Sequence, residues 1–363
     1  MKMIDADAAT ELTIALQQIE TEVVERASAI ANLLDNKLEN DATVDRLLAE
    51  VRNRVLSFSQ FLLRMSAVNR ESVDTGGMSK LLSDATRLRG DFNQWHAVEG
   101  LVRAQQNREP VPLYPEMKLE PIVLQQLKVS DDIIMGLQRL LNPIEQDAQA
   151  EGHGCYPDVG LPQSRFLRHL HAAYRVLLVQ RRGLPKRFID IGCGGGLKVL
   201  SAARFFDEAA GLEYDLGYVK SARELLRLDD HGMTEVIHGD ALAFDDYGRF
   251  DVIYFFKPMN SPEKLEDLER RIIERSRPGT VLMAPYREFE VTASQLQCPK
   301  ICGRLFLVGA SPEEAAAVRE QAMNTGLCIG PAPRSVAKTW APILEVSRLK
   351  GFAMQPGFDA WAR

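Results

Sequence analysis

The chain has 363 residues, with 44 Lys/Arg against 50 Asp/Glu, a formal charge of −6, 45% hydrophobic and 26% charged residues. That balance excludes a largely disordered chain, and no uninterrupted apolar run is long enough to span a bilayer. The charge is uneven: residues 1–150 hold 16 basic and 23 acidic side chains, residues 151–363 hold 28 and 27, and neither half has the clustered basic excess that nucleic-acid binding demands.

Met1 to Thr10 carry Asp5 and Asp7 and no apolar segment, so they do not read as a signal peptide. The five cysteines, Cys155, Cys193, Cys298, Cys302 and Cys328, are odd in number and scattered. They imply no disulfide framework and a reducing, cytoplasmic setting. Cys298 and Cys302 lack a second pair at zinc spacing, and no metal is expected.

From 11 to 38 the residues Leu12, Leu16, Ile19, Val23, Ile30 and Leu33 step by three and four, a helix with a partial heptad broken by Arg26. A second helix after Asp41 carries Val44, Leu47, Leu48, Val51, Val55, Leu56, Phe58, Leu62 and Met65, and after Gly76-Gly77 a single helix is expected over 78–106. Glu109-Pro-Val-Pro-Leu-Tyr-Pro115 favours an extended linker. A helix over 122–141 ends before Pro143, and Gly152-His-Gly-Cys-Tyr-Pro157 reads as loop. Residues 1–150 thus read as an acidic helical domain: a bundle, or a module for dimerisation or partner binding.

A helix over 165–180 turns Leu167, Leu170, Tyr174, Leu177 and Leu178 inward. Arg165, Arg168, His169, Arg175 and then Arg181-Arg182 lie on its other sides, either solvated or in contact with an anionic partner. Strand-like and helix-like runs then alternate: strands at 187–191, 209–212, 234–238, 250–256, 280–284 and 304–308, helices at 197–206, 218–228, 262–275 and 312–324. Such alternation implies an α/β fold, a parallel sheet with helices on both faces.

The strongest motif is Asp190-Ile-Gly192-Cys193-Gly194-Gly-Gly196 between the first of these strands and a helix. Glycines there permit a sharp turn and close approach of a ligand. A dinucleotide fingerprint would place its third glycine at 197, which is Leu197, and Asp190 would repel a pyrophosphate while suiting a cationic ligand.

On these residues the chain resembles the class I, seven-strand, Rossmann-like S-adenosylmethionine-dependent methyltransferases over roughly 187–286. The resemblance implies that Glu213, in Gly211-Leu-Glu-Tyr214-Asp215, binds the ribose hydroxyls. It implies that Asp240, in His238-Gly-Asp-Ala-Leu242, receives the adenine amino group, with the backbone N–H of Ala241 beside it. The cofactor set it implies is Asp190, Gly192, Cys193, Gly194, Gly196, Glu213, Tyr214, Asp240, Ala241 and Phe256, converging at the carboxyl ends of the strands.

The fourth strand, Asp251-Val-Ile-Tyr254-Phe-Phe-Lys257-Pro258, would deliver its end to the transferred methyl group. It lacks the Pro-Pro wording of base-modifying enzymes and the carboxylates of metal-dependent ones. The stretch Tyr156-Pro-Asp-Val-Gly-Leu-Pro162-Gln upstream is similar to a closing loop of some protein lysine methyltransferases, in which Tyr254, Phe255 and Phe256 would wall an amine channel. Tyr254 and Lys257 are the catalytic candidates, Tyr254 as base and Lys257 as orienter of an anionic group. The expected activity is methyl transfer to an amine of a protein or small molecule by a catalytic domain at 151–363. A non-catalytic scaffold and a nicotinamide oxidoreductase are the competing readings.

Overall fold

The computed structural model describes residues 6–35, 41–71, 76–116, 118–143, 145–157, 159–180, 185–229, 233–329 and 337–354. The chain divides into two compact units: the described residues of Met1–Arg108 with Ala332–Pro356, and those of Glu109–Pro331. The boundary expected at 150 therefore moves to 108, and a C-terminal segment returns to the first unit. Arg181 and Arg182 lie outside the described residues.

The first unit is helical: α1 (Ala6–Asp35), α2 (Asp41–Glu71), α3 (Gly76–Phe92), α4 (Trp95–Gln106), then a 3-10 turn at Lys338–Trp340 leading into a last helix at Ala341–Leu349. The heptad-like stripe of α1 faces its own bundle, with Leu16, Val23 and Ile30 buried and Leu12, Ile19 and Leu33 packed against them. Arg26 leaves that core by pairing with Glu50 at 3.0 Å. The helix expected over 78–106 is two helices, because the chain turns at Asn93–Gln94 between α3 and α4. Trp340 is fully buried against Trp95 and Phe92, and its indole N–H donates to the Asp91 carbonyl at 2.7 Å.

The second unit begins with an extended strap that explains the boundary. Arg175, with no exposed surface, donates to the carbonyls of Val111, Pro112 and Ala322 and to the Thr325 hydroxyl. A buried guanidinium needs such partners, and the proline-rich stretch provides two of them. Two more basic residues of that helix are engaged: Arg168 donates to Pro115 O, and His169 Nδ1 lies 2.8 Å from the Tyr114 hydroxyl, whereas Arg165 is exposed.

After the strap come α5 (Pro121–Leu141), α6 (Ala148–His153) and α7 (Gln163–Gln180). The alternating region follows as β1 (Arg187–Ile191), α8 (Leu197–Ala202), β2 (Glu208–Glu213), α9 (Leu216–Leu226), β3 (Thr234–His238), β4 (Val252–Phe255), α10 (Pro262–Arg275), β5 (Val281–Met283), α11 (Phe289–Gln295), β6 (Lys300–Cys302), β7 (Leu305–Leu307) and α12 (Pro312–Met323). The helix expected over 197–206 is shorter, and β6 has no counterpart in the expected strands. Sheet order is β3-β2-β1-β4-β5-β7-β6, parallel except for β7, which runs antiparallel to both neighbours.

The central strands are buried on both faces, as a covered parallel sheet requires. Phe188, Val252, Tyr254, Val281 and Met283 enter the core beneath α7 and α12. Ile189, Ile191, Ile253, Phe255 and Leu282 enter the opposite core with Leu268 and Ile272 of α10 and Phe289 of α11. Among the described residues no helix is long and apolar enough to cross a membrane.

Candidate functional site

One cleft opens at the carboxyl ends of β1, β2, β3 and β4, holding about 870 Å3 of space counted out to open solvent. It brings together Asp190, Gly192, Cys193 and Gly194 from the turn after β1, Glu213 and Tyr214 after β2, Asp240 and Ala241 after β3, and Tyr254, Phe256 and Lys257 from the end of β4. Eleven of the twelve residues singled out in the sequence line it.

The exception is Gly196. It starts α8 with φ 81°, and a Cβ there would stand 3.0 Å from the Ala222 Cβ, so this glycine serves helix packing. Gly192, with φ 74°, lies where a Cβ would come within 2.9 Å of the Pro258 Cβ. The turn is thereby pressed onto the loop after β4, and only glycine allows it.

Glu213 is the most constrained acid of the cleft. One carboxylate oxygen accepts from Gly194 N at 2.9 Å, and the other from Tyr214 N at 2.8 Å and Asp215 N at 2.9 Å. Burial pushes its carboxyl above the usual glutamate range, against the lowering effect of those three N–H donors. Asp190 is buried at the same cleft, and Asp240 Oδ1 accepts from Leu242 N at 2.9 Å. Three acids on glycine-rich backbone suit a ligand that carries cationic groups and hydroxyl or amine donors.

A cover crosses this floor, built from residues that sequence reading passed over. Asp215 caps α9 through Gly217 N and Tyr218 N, and its second oxygen accepts from Asp147 N at 2.7 Å, so the start of α6 is tied to the end of β2. Asp147 in turn caps α6 at Gln149 N. His153, read as loop, ends that helix, and its imidazole stacks on the Tyr214 ring at 4.4 Å with Nε2 3.3 Å from Asp240 Oδ1.

The chain then bridges onto the loop after β4: Cys155 pairs with Met259, and Asn260 N donates to Gly154 O at 2.8 Å. Lys198 Nζ donates to Leu161 O and Gln163 Oε1, holding the rest of the loop over α8. The Cys155 thiol is pushed up to about 12, mainly by burial and then by the charges of Glu213, Asp240 and Asp215, so it is not a thiolate nucleophile. Two signals in the sequence point to this cover: the stretch from Tyr156 to Pro162, whose Tyr156, Pro157, Val159, Gly160 and Leu161 line the cleft, and a histidine set between two glycines, Gly152-His153-Gly154.

At the end of β4, alternation separates three neighbouring aromatics. Tyr254 faces the cleft and meets Phe166 edge-on at 5.1 Å, whereas Phe255 points into the opposite core against Phe289 and Tyr286. The channel wall expected from Tyr254, Phe255 and Phe256 therefore loses Phe255. Lys257 has φ 49°, unusual for a residue with a Cβ. Its ammonium pairs with Glu288 at 2.7 Å and lies over the Tyr286 ring. Its hydrogen bond holds the Glu288 carboxyl below the usual range. Among the described residues no group of three or more His, Cys, Asp or Glu could hold a metal ion.

Residues 189–283 match the family model described as a methyltransferase domain. No curated protein matches the chain in sequence. Among solved structures it is similar to an RNA methyltransferase from Salinibacter ruber in complex with S-adenosyl-L-homocysteine (24% identity, 35% of this chain and 76% of that one, TM-score 0.29). It is also similar to a SAM-bound amino pentose methyltransferase from Micromonospora echinaspora (19%, 36% and 59%, TM-score 0.27). A third is a putative sarcosine dimethylglycine methyltransferase from Galdieria sulphuraria (17%, 34% and 45%, TM-score 0.30). The match spans less than two thirds of the latter two chains.

Proposed function

Because the chain carries a class I, S-adenosylmethionine-dependent methyltransferase domain, we propose that it transfers a methyl group to an amine acceptor, of a protein or a small molecule, held at the end of β4. The observation that carries this reading is the convergence of Asp190, Glu213 and Asp240 on one cleft that Tyr254, Phe256 and Lys257 also line. The residues fit the cofactor: the left-handed Gly192 and Gly194 leave backbone open to it, and Glu213 Oε2 carries a single N–H partner in the structure. In this reading Glu213 takes the ribose hydroxyls, Asp240 and Ala241 the adenine edge, Tyr214 its face, and Asp190 and the glycine turn the amino-acid end.

When bound, S-adenosylmethionine supplies an activated methyl group, so the protein's task is orientation more than activation. Tyr254 sets the acceptor's approach by accepting a hydrogen bond from the neutral amine at its phenol oxygen, and the proton released on methyl transfer passes to solvent. Lys257, already balanced by Glu288, orients an anionic group of the acceptor. His153 backs Tyr214 and Asp240 and so keeps the adenine wall in place. Phosphate chemistry has no comparable support, since Leu197 occupies the third fingerprint position and Asp190 faces the same space.

The test is incubation of the full chain with methyl-labelled cofactor and a cell extract, separated into protein, nucleic acid and small molecules. Label in the protein or small-molecule fraction supports the proposal, and label in nucleic acid overturns its acceptor class. Binding of cofactor with no transfer favours the scaffold reading. Tyr254→Phe and Lys257→Ala should each lower transfer at least about tenfold, roughly 1.4 kcal/mol, with cofactor affinity little changed.

A further inference from the structure

Helix α5 is 21 residues long and buries none of its side chains. Its inward side rests on its own unit: Leu127, Asp131, Ile134, Met135 and Gln138 are half-buried, and Asp131 accepts from Ser164 N at 2.8 Å and Ser164 Oγ at 2.6 Å. The outward side is a different surface. Ile122, Gln126, Val129, Ile133, Gly136 and Leu140 follow one another at spacings of four, three, four, three and four, the a/d pattern of a two-helix seam. Ile122 is 61% exposed, Val129 50%, Ile133 65% and Leu140 84%, with Leu137 beside them at 46%. The heptad of α1, by contrast, is consumed inside its own bundle.

We propose that this face pairs with the same face of a second copy of the chain, the two α5 helices running antiparallel about a twofold axis near Met135. Two features select that occupant and that direction. The flanking g positions of the seam hold Asp132 and Arg139. In an antiparallel pair, g positions face g positions, and Asp132 meets Arg139 of the second copy on both edges. In a parallel pair Asp132 would face the apolar Leu137. The seam layers agree: antiparallel pairing sets Ile133 into the space over Gly136 of the second copy and Leu140 against Val129. A parallel pair would stack Gly136 on Gly136 and leave a hole. A self-complementary patch of this kind closes as an isologous dimer.

The experiment is light scattering on the full chain at micromolar concentration. The unaltered protein should show twice the 40.6 kDa chain mass, and Ile133→Glu should show the single-chain mass. Ile133→Glu, Asp132→Arg and Arg139→Asp, all at exposed positions, should leave circular dichroism unchanged. Asp132→Arg, which sets two cations together on each edge, should weaken pairing at least tenfold, and Asp132→Arg with Arg139→Asp should restore it. A monomeric unaltered chain, a dimer indifferent to Ile133→Glu, or a double reversal that fails to restore pairing would each overturn the proposal.

Discussion

Glu213 answers to two opposing conditions. Its carboxylate is wanted ionised by the three backbone donors and by any ligand hydroxyl, yet burial raises its pKa above the usual range. The sign follows directly. With the folded pKa above the unfolded one, its contribution to stability is fully present below the unfolded value and lost as pH rises through the folded one. Cofactor affinity should move the other way, rising as the carboxylate ionises. We expect S-adenosylhomocysteine to bind more tightly as pH rises above the ordinary glutamate range. Glu213→Gln should weaken binding about tenfold or more, from lost charge-assisted hydrogen bonds of roughly 1.5–3 kcal/mol each, and should flatten that dependence. Calorimetric titration of both proteins measures it, and a pH-independent affinity shared by the two would remove Glu213 from the ribose role. Asp190, Glu213 and Asp240 were legible because each stands at or just past the end of a strand, within two residues of a glycine. His153 and Lys198 were not, because their partners, Tyr214 and Leu161, lie 61 and 37 residues away in the chain and no local pattern announces them.

At the scale of elements, hydrophobic periodicity located the strands and most helices, and it failed where periodicity continues through a break. Leu88, Phe92 and Trp95 keep one face across the turn that separates α3 from α4, so the turn has no apolar signature. It failed again at α6, a six-residue helix too short to show a period, set by the Asp147 cap and the left-handed Gly154 that ends it. Asp215 is what makes α6 a cover for the cleft, since one carboxylate serves both α9 and Asp147. Asp215→Ala should cost about 1 kcal/mol for the lost cap of α9, a fall in melting temperature of roughly 2–4 °C. It should also weaken cofactor binding by releasing the start of α6, while Asp215→Asn, whose single accepting oxygen can keep the α9 cap but whose NH2 then faces Asp147 N–H, should recover the stability and not the binding. Thermal shift and calorimetric titration read the two effects separately. A variant that loses stability but binds cofactor as before would sever α6 from the site.

For the molecule as a whole, composition placed the boundary near 150 because charge changes there, whereas packing places it at 108 because Arg175 holds the strap after Glu109. Charge balance reports the surface, and a boundary is decided by the core, so the two need not coincide. The return of 337–354 to the helical unit was equally hidden, since a tail of nine helical residues looks like the end of the domain that precedes it in sequence. What holds that tail is Trp340: fully buried, packed at 5.1 Å from Trp95, with its N–H bonded to Asp91 O and Thr339 bonded to the Asp91 carboxylate. Removing a buried indole costs on the order of 3–5 kcal/mol, a large share of the stability of a domain this size. The two units have separate hydrophobic cores, and domains with separate cores unfold as separate cooperative steps. Differential scanning calorimetry of the full chain should therefore resolve two transitions, of which S-adenosylhomocysteine raises only the one belonging to the α/β unit. Trp340→Ala should lower the other by roughly 10 °C or more and leave the ligand-responsive transition in place. A single transition that Trp340→Ala and the ligand both shift would show instead that the helical unit and the α/β unit stand or fall together.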